Sequence, residues 1–255
     1  VVYKMSRLRN GLILTIGATG SGKSTTLAAI VDDINQRYPK HIITIEDPVE
    51  FLFKDKKSII NQREIGIDAV SFKDAMAGAM REDPDVILVG ELRDAETIMM
   101  AMTAAETGHL VLGTLHTTGA VKTIDRIIDA LPGELREQTK AFLAMSLKAV
   151  ITQVLVKTVD GKGRHAVLEI LVNNRAIAKM ITSDQTHQIP SQLQTGADQG
   201  MQLMDAALLR AIQKKEIDPD DAIRFAADKK KFQRFVTNTD VVPMIDVGGN
   251  EMMSS

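Results

Sequence analysis

Apolar residues along the chain fall into short unbroken runs, separated by longer stretches in which they recur every three or four positions. The runs are residues 12–16 (LILTI), 41–46 (HIITIE), 86–89 (VILV) and 110–114 (LVLGT). Short continuous runs bounded by turn residues predict strands buried on both faces. The stretches between them predict helices over residues 24–37, 72–81, 95–106 and 120–130. Short apolar strands alternating with helices predict an α/β fold built on a parallel sheet, with ligands bound at the carboxyl ends of the strands. Residues 51–67 mix charge with β-formers and read as a loop or hairpin off the sheet's end. After the Pro132-Gly133 break a helix is predicted from Glu134 to about Ala149. A hairpin follows, residues 154–159 and 165–172 around Asp160-Gly161-Lys162-Gly163. From Asn174 onward the pattern is helical, with Asp218-Pro219 as one helix start. Lys229-Lys230-Lys231 reads as a solvated helix face.

Composition narrows the function. The chain has 255 residues, 44% of them apolar, and 31 Lys plus Arg against 33 Asp plus Glu give a formal charge of −2. That length predicts one large domain or a domain with a small appendage. The balanced charge lacks the basic footprint of a nucleic-acid binder, and seven Phe, two Tyr and no Trp leave little to stack bases on. No nucleic acid is expected as a partner. The absence of cysteine excludes disulfides, thiolate zinc sites and thiol catalysis, and fits a reducing compartment. The most apolar long window, residues 141–156, is interrupted by Ser146, Lys148, Thr152 and Gln153. A spanning helix needs about 20 mostly apolar residues. No signal segment is visible. The opening Val1-Val2-Tyr3-Lys4 lacks an initiator Met, which suggests either processing or a start partway through a longer protein.

The chemistry gathers at the predicted strand ends. Gly17-Ala18-Thr19-Gly20-Ser21-Gly22-Lys23-Ser24 fits G-x-x-x-x-G-K-[ST] at every fixed position, with a strand before it and a helix after it. Glycines let backbone amides turn inward around phosphates, and the helix N-terminus adds unpaired donors and a positive dipole end. Lys23 reaches the β and γ phosphates in this reading, and the Ser24 hydroxyl ligates Mg²⁺. Thr25 joins the loop residues as a nucleotide contact. The strand at 86–89 delivers Glu91, which could polarise an attacking water, with Gly90 where an Asp often sits. Glu46, Asp47 and Glu50 place three carboxylates within five residues at a second strand end, charge that Mg²⁺ or a water network must absorb. His116 follows the strand at 110–114 and lies near the γ-phosphate, whereas His109 precedes it and reads as structural.

These stretches together resemble the secretion ATPase superfamily, the hexameric motors of type IV pili, type II secretion and related machines. Gly17 to Ser24 matches its Walker A motif, TIEDPVE ending at Glu50 its Asp box, LVGE ending at Glu91 its Walker B, and the stretch from Gly108-His109 to His116-Thr117-Thr118 its His box. The resemblance implies a RecA-like P-loop NTPase core over residues 11–183 and a small C-terminal helical region over 184–240. Residues 1–10 would end a linker from an N-terminal domain, and 241–255 would be a disordered tail. It further implies ATP and Mg²⁺ as cofactors, Glu91 as the catalytic glutamate, Glu50 as an aid to metal and water, and functional roles for both His109 and His116. Within the superfamily the likeness is to the pilus twitching or retraction ATPases, carried also by NQRE at 61–64, REDPD at 81–85 and TAAETGH at 103–109. That implies a homohexamer in the cytoplasm, peripheral to the inner membrane at the pilus base. Its partners would be the inner-membrane platform protein and a paralogous pilus ATPase. Extension and type II secretion relatives carry a four-cysteine zinc insertion that this chain cannot form. Where the retraction ATPases have Ala-Ile-Arg-Asn-Leu-Ile-Arg-Glu, residues 176–183 read AIAKMITS, without either arginine or the glutamate. The alternatives are an extension or type II secretion motor, or an accessory ATP-binding regulator.

Overall fold

The apolar runs pair side by side into one sheet. In the computed structural model, which describes residues 2–237, the seven strands lie in the order β3-β2-β4-β5-β1-β6-β7. They are β1 (Gly11–Ile16), β2 (His41–Glu46), β3 (Ile59–Glu64), β4 (Val86–Val89), β5 (Leu110–Leu115), β6 (Leu147–Lys157) and β7 (Arg164–Val172). Every pairing from β3 across to β6 is parallel. β1, β4 and β5 are buried along their whole length, which is why they read as continuous apolar runs without alternation.

Alternate residues of the same strands feed two separate cores. Leu12, Leu14, Ile16, Ile87, Val89 and Val111 face one side. There they meet α3 (Phe72–Ala79), α4 (Ala95–Glu106), α5 (Ala120–Asp129) and α6 (Arg136–Ser146). Ile13, Val86, Leu88, Leu110 and Leu112 face the other side, against Leu27, Ile30, Val31 and Ile34 of α2 (Lys23–Arg37). Local chemistry marks where the helices begin. Ser71 caps α3 by accepting from the Asp74 amide, and Asp94 caps α4 by accepting from the Thr97 amide. The first residues are docked: α1 (Val2–Met5) puts Met5 into the α2-side core, and the Ser6 hydroxyl donates to Asp33 at 2.6 Å.

Two segments differ from the expectation. The region 51–67 contains no hairpin; β3 pairs parallel to β2 in the register His41↔Ile59 to Glu46↔Glu64. As an edge strand it is only partly covered, so it lacks the apolar run that marked its neighbours. The helix predicted to reach residue 149 stops at Ser146, and Leu147 opens β6, which pairs with β1 as Leu14↔Val150 and Ile16↔Thr152. A short buried apolar run cannot be assigned by periodicity alone. Here the β-branched Val150, Ile151 and Thr152 and the free side of β1 decide it.

The described residues divide into two compact units. One comprises residues up to 155 together with 166–203 and holds the helices named so far, α7 (Arg175–Thr182) and α8 (Ile189–Thr195). Ile177, Ile181, Ile189 and Leu193 are buried in its larger core, so the division falls after Leu203 and not after residue 183. The second unit comprises residues 156–165 and those from 204. It holds α9 (Met204–Gln213) and α10 (Pro219–Ala222), the latter capped by Asp218 with Pro219 in its first turn. Within it Asp205 accepts from the Ala227 and Asp228 amides at 2.8 and 2.9 Å, and Lys229, Lys230 and Lys231 stand exposed on a short 3-10 turn. The tail expected to be disordered, 241–255, lies outside the described residues. None of the described helices is long and apolar enough to cross a membrane.

Ile151 is fully buried in β6. Ile151→Ala should therefore lower the unfolding free energy by about 2–4 kcal/mol, read as a reduced urea midpoint at unchanged slope. A loss below about 0.5 kcal/mol, the range of ordinary surface substitutions, would refute this placement of the strand.

Candidate functional site

β1 ends at Ile16, the chain turns through Gly17 to Gly22, and α2 starts at Lys23. Two glycines in that turn are obligatory. Gly17 (φ 146°) has no room for a Cβ, which would lie 2.5 Å from the Gln153 carbonyl oxygen and 2.7 Å from Ser21 Oγ. At Gly22 (φ 87°) a Cβ would lie 2.7 Å from the Gln153 amide nitrogen. Gln153, buried on β6, locks the turn from behind. Its Nε2 donates to the Ser21 carbonyl at 2.8 Å and its Oε1 accepts from Thr26 Oγ1 at 2.6 Å.

Lys23 lies inside the turn, 8% exposed, and donates from Nζ to the carbonyls of Gly17 at 2.8 Å and Ala18 at 3.1 Å. Burial draws its ammonium below the ordinary lysine value, and the carboxylates of Glu91 and Glu50 pull the other way. Three observations fit the turn to a phosphate group. The N-terminus of α2 has no side-chain cap, so its amides are unclaimed by side chains. Ser21 Oγ is buried without a hydrogen-bond partner in the protein. The charged end of Lys23 stands within reach of backbone carbonyls and one histidine nitrogen. Together they make a concave, electropositive seat of the kind that binds anions.

The seat opens onto a cleft of about 570 Å³. Thr19, Gly20, Lys23, Ser24 and Thr25 line one wall; Glu46, Asp47, Glu50, Glu91 and His116 line the other. Glu91 is delivered by the turn after β4, which is tied to both neighbouring strands. Gly90 N donates to the Ile45 carbonyl at 2.7 Å, Thr114 Oγ1 donates to the Gly90 carbonyl, and Leu92 N donates to the Thr114 carbonyl at 3.0 Å. A Cβ at position 90 would make a tight approach, 3.2 Å from the Ile45 carbonyl oxygen and 3.3 Å from Glu46 Cα, both main-chain atoms. His116 Nδ1 lies 3.5 Å from Lys23 Nζ, and its Nε2 lies 3.2 Å from Glu91 Oε1. An ammonium can only donate, so Nδ1 accepts from Lys23, while Nε2 stands within ion-pair distance of Glu91. Glu46 is held by Thr44 Oγ1 at 2.7 Å, and the Asp47–Pro48 peptide is cis.

Of the residues singled out in the sequence, the phosphate turn, Glu46, Asp47, Glu50, Glu91 and His116 converge on one cleft. His109 does not. It precedes β5 at the opposite end of the strand from His116, and six residues of strand separate the two by roughly 20 Å. Its Nδ1 lies 3.0 Å from the Ala104 carbonyl, a local contact at the end of α4. Two site residues went unrecognised in the sequence, Gln153 and Arg93. Gln153 acts across a long separation, on Ser21, and Arg93 joins its near neighbour Glu91 to the distant Asp47.

The profile of the family described as "Type II/IV secretion system protein" matches residues 2–218. The chain belongs to this family. It is 52% identical over 230 residues to the twitching motility protein of Neisseria gonorrhoeae, covering 90% of this chain and 62% of that protein. To the type IV pilus retraction ATPase PilT of Pseudomonas aeruginosa it is 49% identical over 222 residues, covering 87% of this chain and 64% of that protein. A crystal structure of the pilus retraction motor PilT with bound ADP superimposes with a TM-score of 0.85 at 46% identity, over 91% of this chain and 66% of that one. The chain thus spans slightly less than two thirds of the length of these relatives. The resemblance read from the motifs and the RecA-like fold expected from them both hold.

Burial disfavours the charged form of Lys23, so the folded chain carries a penalty there at neutral pH. Its folded value lies below the unfolded one, so this penalty is whole at neutral pH and fades as pH rises through the folded value. Lys23→Met should accordingly melt no lower than the parent at pH 7, while ATP affinity falls by about 100-fold or more (≥ ~2.7 kcal/mol). Parallel scanning fluorimetry and nucleotide titration check both; a marked fall in melting temperature would contradict the stated electrostatics.

Proposed function

We propose that this chain is the ATPase core of a type IV pilus retraction motor. The observation that carries the reading is the convergence of a phosphate turn around buried Lys23 with a carboxylate, Glu91, presented from the end of β4, with His116 from the intervening β5 between the two. The near-half identity to proteins named for twitching and pilus retraction supports the biological assignment.

In this mechanism the amides from Gly17 to Lys23 and the Lys23 ammonium hold the phosphates of ATP, with Ala18, Thr19, Ser21 and Thr25 around them. Ser24 and, through water, Glu50 hold Mg²⁺, which when bound offsets phosphate charge. Glu91 accepts the proton of the water that attacks the γ-phosphorus, while the bond from that phosphorus to the β–γ bridging oxygen breaks and ADP leaves. His116, hydrogen-bonded to Lys23 and 3.2 Å from Glu91, registers whether Lys23 is engaged by phosphate. Changes at the loop of Glu46, Asp47 and Glu50 would carry that state to a neighbouring subunit of a homohexamer. The motor would work in the cytoplasm at the inner-membrane base of the pilus, against the platform protein and beside a paralogous pilus ATPase. Nothing in the reading requires His109 to touch nucleotide; its role would lie at the far end of β5.

One observation favours a second reading, an accessory ATP-binding regulator. In residues 176–183 the retained isoleucines, Ile177 and Ile181, are fully buried, while Lys179 and Thr182 stand exposed. The helix is kept as a structural piece and its outward chemistry has changed. A motor hydrolyses ATP alone, whereas a regulator acts only with its partner.

Glu91→Gln should retain ATP binding and lower turnover by about 100-fold or more. In cells carrying this variant as the sole copy of the gene, excess surface pili without twitching is the expected phenotype. Bald cells would make the protein an extension motor, and unchanged turnover would remove Glu91 from its role.

A further inference from the structure

Arg93 stands beside the cleft and reaches two of the carboxylates that line it, and nothing in the mechanism above uses it. Its Nε donates to Glu91 Oε2 at 2.5 Å, and its Nη1 lies 3.3 Å from Asp47 Oδ2. The guanidinium carbon sits 5.9 Å from the centroid of the Phe72 ring. Three elements therefore meet on one side chain: the turn after β4, the loop after β2 and the start of α3. The two oxygens of Glu91 are thereby given different partners, Oε2 to Arg93 and Oε1 to His116.

We propose that Arg93 is a positioning residue that fixes the Glu91 carboxylate in the cleft and screens it from Asp47. The proposal rests on the reading of Glu91 as the group that polarises water. With Oε2 clamped, Oε1 is turned toward His116 and, through it, toward Lys23. Without the guanidinium nothing bridges the carboxylates of Glu91 and Asp47, and the Glu91 side chain loses the contact that holds Oε2. Arginine suits the place because its planar fork can serve two acceptors at once and lie on a ring face, which a lysine ammonium cannot reproduce. Arg93 and Asp47 are substantially exposed, with side-chain exposures of 53% and 40%. Pairs so placed contribute little to folding, so the consequence of losing this one falls on the geometry of Glu91.

Arg93→Ala should lower kcat for ATP by about 10- to 100-fold, the scale on which misplacing a reacting group costs rate. KM, the ATP dissociation constant and the melting temperature should stay near parental values. Arg93→Lys should recover part of the rate, because it restores one contact of the fork. On the Glu91→Gln background, Arg93→Ala should add no further loss, since both changes act through the same carboxylate. A crystal structure of nucleotide-free Arg93→Ala supplies a readout independent of turnover: Glu91 is expected to have left His116. Parental kcat in Arg93→Ala beside an inactive Glu91→Gln overturns this proposal alone. A further loss on the Glu91→Gln background, or a rise in the ATP dissociation constant matching the rate loss, overturns it as well. An active Glu91→Gln overturns it together with the reading of Glu91.

Discussion

The parallel pairing of the strands is the constraint from which the site follows. β2, β4, β5 and β1 run the same way in close register, with Ile45 opposite Val89, Val89 opposite Gly113, and Ile16 opposite Leu115. The residue that follows each strand therefore arrives at the same edge: Gly17 after β1, the acidic loop after β2, Gly90-Glu91 after β4 and His116 after β5. An antiparallel arrangement of the same runs would have sent half of these groups to the far side. His109 shows the rule from the other direction, since a histidine seven residues before His116 on the same strand is carried out of reach.

Bringing these groups to one edge concentrates charge, and the wall must balance it. Lys23 is the buried cation, held by carbonyls that accept from it but do not neutralise it. The carboxylates facing it raise its affinity for a proton while burial lowers it. An incoming phosphate changes that balance more than any group already there, because it brings charge directly against the ammonium. The site is thus arranged to respond to what occupies the turn, and His116, spanning Lys23 and Glu91, is the shortest protein route for that response.

What could be read from the sequence and what could not divide along the same physical line. The interior strands and α4 were legible because complete burial leaves an unbroken apolar run and caps leave a local signature at Asp94. The phosphate turn was legible because its chemistry is written in eight consecutive residues. β3 was missed because an edge strand is buried on neither face strongly enough to show a period. The start of β6 reads as the end of a helix because a short buried run is ambiguous over 147–149, and what decides it, the β-branched residues that follow and the open side of β1, lies outside that run. Gln153 and Arg93 escaped for a third reason. Ser21 and Asp47 lie on other elements, and an isolated Gln in a strand or Arg after a turn has the same appearance as surface filler.

The two walls of the cleft differ in how firmly they are held, and that difference indicates where movement can arise. The phosphate turn is pinned by buried Gln153 and by glycines that tolerate no Cβ, so it can receive a ligand but has little freedom to rearrange. The acidic wall is joined at its rim by Arg93, Asp47 and His116, all substantially exposed. Such contacts exchange readily with water or with a competing anion. A nucleotide seated on the first wall therefore meets a second wall whose cross-links can be remade. The same sheet edge supplies both properties because burial falls away from the strand ends toward the loops. The rigid half thus sets what can be seated, and the exchangeable half is free to change with it.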